Sequence, residues 1–117
     1  MKARQITKND LLFFSGTTQY YWHWSRKLVF TDGIKFLSEN AGAYWLIDLV
    51  ASYQPLSADK HQYWTLKIED GKYCAECQDY DGKILARQII EYSDFPVDLL
   101  PFTCYLRDRV LFLPTED

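Results

Sequence analysis

The run Trp22-His23-Trp24 sets a histidine, the side chain that titrates nearest neutrality, among aromatic rings. A histidine works as a general base when a carboxylate orients it and a nucleophile lies beside it. Two aspartates are candidate partners. Asp32 follows Thr31 at a helix start, where a carboxylate serves as a cap or meets the positive end of the helix dipole. Asp48 stands within the apolar stretch Ala43 to Tyr53, so it is exposed on a narrow face, paired with a buried donor, or functional. A small hydrolase or transferase using His23 and Asp48 requires the two side chains to converge in one cleft.

Cys74-Ala75-Glu76-Cys77 has the C-x-x-C spacing, and Cys104 with His61 would complete four nominal zinc ligands. The segment reads as a strand, however, and residues three apart on a strand point to opposite faces. Core or strand cysteines are expected, with no metal and no cofactor. A redox C-x-x-C opens a helix, and none is expected here. Glu91, Asp94 and Asp98 form a loose acidic group, read as a solvated strand end. Nucleotide-binding and hydrolase signatures are absent from the sequence.

The densest aromatic run, Tyr20, Tyr21, Trp22, His23 and Trp24, leads into Arg26 and Lys27. Rings beside cations can anchor a protein interface or stack bases on single-stranded nucleic acid. Alternation along a strand puts Tyr21 and His23 on one side and Tyr20, Trp22 and Trp24 on the other, so one set packs inward. The candidate binding residues are Tyr20, Trp22, Trp24, Arg26 and Lys27, joined by Tyr44 and Asp48 on the polar face of the apolar helix.

The elements that must position these side chains follow from periodicity. Thr7 with Asp10 opens a short capped helix that Gly16 terminates. Gln19 to Trp24 and Lys27 to Phe30 suggest two strands around a turn near Ser25 and Arg26, with helix as the competing reading. Thr31 caps a helix from Gly33 to Asn40, and Gly42 ends or kinks it. Ala43 to Tyr53 is the expected core helix. Its apolar residues Trp45, Leu46, Leu49, Val50 and Tyr53 lie apart from Tyr44, Asp48 and Ser52, and Pro55 stops it.

The second half changes period from 3.6 to 2. Trp64, Leu66 and Ile68 alternate with polar residues. Asp70-Gly71 and Asp81-Gly82 supply hairpin turns, the second leading into a strand from Lys83 to Tyr92. Pro96 to Pro101 reads as a connecting loop or short turn. Arg107-Asp108 makes a third hairpin turn between Phe102 to Leu106 and Arg109 to Leu113. The expected fold is α+β, with N-terminal helices packed on one face of an antiparallel meander.

The 117 residues suit a single domain spanning 1–117. A hydrophobic share of 48% against 25% charged residues places the chain among folding sequences. Residues 1–35 carry six Lys/Arg against two Asp, while the remainder carries seven against fourteen Asp/Glu, so no single-sign field favours wholesale DNA binding. The N-terminal five residues lack an export signal, no stretch approaches a membrane span, and three cysteines fit free thiols in the cytoplasm.

Several strings carry a resemblance. They are Phe30-Thr31-Asp32-Gly33-Ile34-Lys35-Phe36-Leu37, Glu39-Asn40-Ala41-Gly42-Ala43-Tyr44-Trp45-Leu46-Ile47-Asp48, and Phe14-Ser15-Gly16-Thr17 with Tyr20 and Tyr21. Trp64-Thr65-Leu66, Gln88-Ile89-Ile90-Glu91-Tyr92-Ser93-Asp94-Phe95-Pro96 and Leu111-Phe112-Leu113-Pro114 continue it. Together they resemble a family of small bacterial and phage proteins formed by a domain of unknown function, which implies one domain and carries over no site residues. The favoured reading is a non-enzymatic accessory module that binds another protein, with a homodimer possible through an aromatic edge strand. Single-stranded nucleic-acid binding through residues 20–27 and catalysis by His23 with Asp48 are the alternatives.

Overall fold

The computed structural model describes residues 6–54, 61–91 and 93–117. Residues 1–5, Pro55 and Tyr92, on which expectations above bear, lie outside the described residues. Helix α1 spans Lys8–Leu12, with Thr7 and Asp10 forming the reciprocal capping box that their spacing implies. The aromatic run forms β1, Tyr20–Trp22, and turns back into β2, Val29–Thr31. Helix α2 covers Asp32–Ala41, and its N-cap Thr31 accepts the Ile34 N–H. Gly42 ends it at φ 61°, a left-handed angle suited to glycine, and α3 begins at once over Tyr44–Ser52.

The strands β3, His61–Glu69, β4, Lys72–Gln78, and β5, Ile84–Ile90, form the consecutive hairpins foreseen from Asp70-Gly71 and Asp81-Gly82. Asp70 and Gly71 both take positive φ, the geometry that joins twisted strands with two residues. After a short 3-10 turn at Val97–Leu99 come β6, Phe102–Arg107, and β7, Val110–Phe112. Their turn is centred on Asp108 and Arg109, one residue later than expected, and both have positive φ.

The architecture is α+β, but it is not a simple meander. The seven strands run in the order β1-β2-β7-β6-β3-β4-β5. Strand β6 pairs with β3 rather than with β5, and β2 lies parallel to β7, so the sheet is mixed. The helices are not simply N-terminal either, because β1 and β2 precede α2 and α3. Hydrophobic alternation specifies which face of each strand is buried, not which neighbour it takes, and here non-local pairing set the order.

One face of the sheet bears Phe30, Leu111, Leu106, Cys104, Trp64, Leu66, Ala75 and Cys77, all buried with Ile34, Leu37, Leu46, Ile47 and Val50 of the helices. Helix α3 is rotated from its expected face: Ile47 and Ala51 are buried, while Trp45 and Leu49 are half-buried flanks. Cys77 lies in this core and Cys74 on the other face, as strand alternation requires. Burial pushes the Cys77 and Cys104 thiols up to about 12, which leaves them protonated and inert.

The two chain halves are fastened at the start of α2. The Glu116 carboxylate, in the last 3-10 turn, accepts from Thr31 Oγ1 at 2.6 Å, Leu113 N–H at 2.9 Å and Gly33 N–H at 3.1 Å. Gly33 allows this approach, since a Cβ there would lie 2.6 Å from Leu113 Cδ1 and 2.7 Å from Glu116 Oε1. Gly33→Ala is therefore expected to cost about 1–3 kcal/mol of stability in urea unfolding. Wild-type stability in that variant would contradict the tight docking.

Asp32 does not cap its own helix with its carboxylate. It accepts from Thr18 N–H and Oγ1 and from the Tyr21 hydroxyl, tying the preceding loop and β1 to α2. The Thr18 N–H first, then the Tyr21 hydroxyl, lower its pKa to about 2. A depressed folded pKa stabilises above the unfolded value, and that contribution is lost as pH falls through about 2. Asp32→Asn should flatten the decline of thermal stability between about pH 4 and pH 2; an unchanged acid profile would refute the assignment.

Candidate functional site

The residues singled out from the sequence separate into two groups. Strand β1 is the terminal strand, and its register with β2 places Trp22 opposite Val29 and Tyr20 opposite Thr31. Val29 in turn pairs with Val110, and Phe112 with Tyr105, which pairs with Tyr63. Paired residues share a face, so Tyr20 and Trp22 belong to the face opposite the helices, together with an aromatic row of Phe112, Tyr105 and Tyr63. Tyr63 meets Tyr105, and Tyr105 meets Phe112, edge to face at 5.0 and 5.7 Å between centroids.

Trp22 is 55% exposed, and two guanidinium groups lie over its ring. Arg26 Cζ is 5.5 Å and Arg109 Cζ 5.8 Å from the centroid, distances at which cation–π attraction operates. Arg109 also donates through Nη2 to the Arg26 carbonyl at 2.7 Å and through Nε to the Lys27 carbonyl at 3.2 Å. Arg107 stands over Phe112 at 4.9 Å and pairs with Asp117 at 2.6 Å. Arg26 and Arg109 both sit at positive φ, 65° and 68°, which costs non-glycine residues free energy. Arg109 and Arg107 were not recognised from the sequence, because their nearness to Trp22 and Phe112 depends on strand pairing.

Trp24 is 80% exposed but belongs with α3. Its indole N–H donates to Asp48 Oδ1 at 3.1 Å, and His23 Nε2 is 2.6 Å from the same oxygen. Tyr44 lies one turn before Asp48 on the exposed face of α3. The contacts around His23 are completed by Ser25, whose hydroxyl is 2.7 Å and whose backbone N–H is 3.2 Å from Nδ1. With an N–H donating to Nδ1, the ring proton belongs on Nε2 and is donated to Asp48.

Serine, histidine and aspartate thus stand in the sequence of a proton relay, and His23 and Asp48 do converge. Yet His23 is only 5% exposed, both ring nitrogens are engaged, and the Ser25 oxygen already accepts the Lys27 N–H at 3.2 Å. These bonds fasten the β1–β2 turn onto α3. Lys27, the remaining candidate, contributes its backbone to this turn and to Arg109.

Asp48→Ala removes the acceptor of a buried histidine and should destabilise by about 1–3 kcal/mol. Asp48→Asn keeps an oxygen there and should cost clearly less; equal losses in chemical denaturation would refute the lock. No curated protein and no solved structure matches the chain. A family model described as a family of unknown function, DUF6876, matches residues 5–117, nearly the whole chain. The protein therefore belongs to the DUF6876 family.

Proposed function

We propose that the protein is a non-catalytic module that binds another protein through the aromatic and arginine-rich edge of its sheet. The observation that carries this reading is Trp22, more than half exposed on an edge strand and held beneath Arg26 and Arg109. Tryptophan and arginine dominate the residues on which protein interfaces depend, and rings fixed before binding lose little entropy on association. The two left-handed arginine backbones support it, since conformations with a cost persist where they serve a purpose. Guanidinium groups already over the Trp22 ring compete with the base stacking that a nucleic-acid platform needs.

The cations of this edge favour a partner with an acidic surface. Three buried free thiols fit the reducing cytoplasm, and the resemblance to bacterial and phage proteins suggests an accessory role in a bacterium or its mobile elements. Among the described residues no strand pairs with the outer edge of β1, so a second copy is among the partners to be tested.

Affinity capture of the tagged protein from its native host, with nuclease applied to half of the material, tests this reading. A stoichiometric protein should survive nuclease and be lost with Trp22→Ala, a change expected to cost at least about 2 kcal/mol of binding. Retention of that protein by Trp22→Ala, or recovery that disappears with nuclease, would overturn the proposal.

A further inference from the structure

At the opposite edge of the sheet, the helical layer stops short of the last strand. Helix α3 packs over β3 through Tyr53 on Trp64, and the Tyr53 hydroxyl reaches β5, donating to Gln88 Oε1 at 2.9 Å. Between α3 and β5 this leaves a cleft of about 580 Å³, a volume within the range of small-molecule sites. Trp45, Leu49 and Ile90 give it apolar walls, and all three are half-buried against the core.

Among the described residues its charged lining is two carboxylates, Asp48 and Asp94. Asp48 is held in place. Its Oδ1 accepts from His23 and Trp24, while Oδ2 accepts no hydrogen bond among the described residues, and the side chain is 52% exposed. A carboxylate oriented by two donors and left with one oxygen available presents a fixed acceptor at little entropic cost. Gln88 adds an amide on the facing wall, its carbonyl oxygen already engaged by Tyr53.

We propose that this cleft binds an organic cation, an alkylammonium or guanidinium group carried on a short apolar stem. The stem lies along Trp45 and Leu49, where the indole also attracts positive charge, and the head group meets Asp48 and Asp94. The site is independent of the aromatic and arginine-rich edge, so either reading can fail without the other.

The test uses the intact chain and nuclear magnetic resonance. Cadaverine and agmatine should shift the Trp45 indole N–H saturably, and the uncharged diol of cadaverine's length should not. Asp48→Asn, which keeps the acceptor of His23, and Asp94→Asn should each weaken binding about tenfold. Asp98→Asn, outside the cleft, should leave it unchanged. The same cation can come from a free amine or from a polypeptide: tighter binding of an acetylated Ala-Arg-Ala peptide than of agmatine assigns a partner's side chain, and the reverse assigns a free amine. Absence of a saturable shift at millimolar amine, equal binding of the diol, or unchanged affinity in both cleft variants would overturn the proposal.

Discussion

The parallel pairing of β2 with β7 is the constraint on which the rest of the structure depends. It sets Val29 beside Val110 and Phe30 beside Leu111, joining the N-terminal hairpin to the last strand of the chain. Three consequences follow from this one register. Phe30 and Leu111 enter the same core, Arg109 comes to lie over Trp22, and the final turn reaches the start of α2, where Glu116 accepts two backbone N–H groups and a hydroxyl. A contact between residues so distant in sequence costs loop-closure entropy, so the helices that intervene must be packed for it to hold.

The width of the sheet exceeds its helical cover. Seven strands present more width than two principal helices can cover. Toward β1 the surplus appears as exposed rings among guanidinium groups, and beyond α3 it appears as the acid-lined cleft beside β5. The outer face between them carries a cluster of ion pairs. There Glu76, nearly buried, stands 3.6 Å from both Lys67 and Arg87, and Arg87 also pairs with Glu69, whose pKa it lowers. Buried carboxylates without such partners would be costly.

The His23 and Asp48 pair joins these features. By fastening the β1–β2 turn to α3, it orients Trp24 and fixes the carboxylate that borders the cleft. The imidazole of His23 is nearly buried, with Nε2 on Asp48 and Nδ1 on Ser25, so the pair holds the turn and the helix together. Asp48 meets two of the roles open to an acid in an apolar helix, being exposed on a narrow face and bonded to a buried donor.

Local signals in the sequence determined the local structure. Thr7 with Asp10 and Thr31 cap helices because their oxygens meet N–H groups three residues on. Asp70-Gly71 turns a hairpin because both residues tolerate left-handed angles, and the period of two fixed which side of β3 is buried. The separation of Cys74 from Cys77 needed nothing more. Only the tertiary structure decided that β2 would neighbour β7, that Arg109 would join Trp22, that Asp48 rather than Asp32 would hold His23, and that a cleft would open beside Trp45. Capping and turn formation act over a few residues, whereas strand order and helix coverage are set by the burial of the whole chain at once, so no short window of sequence encodes them.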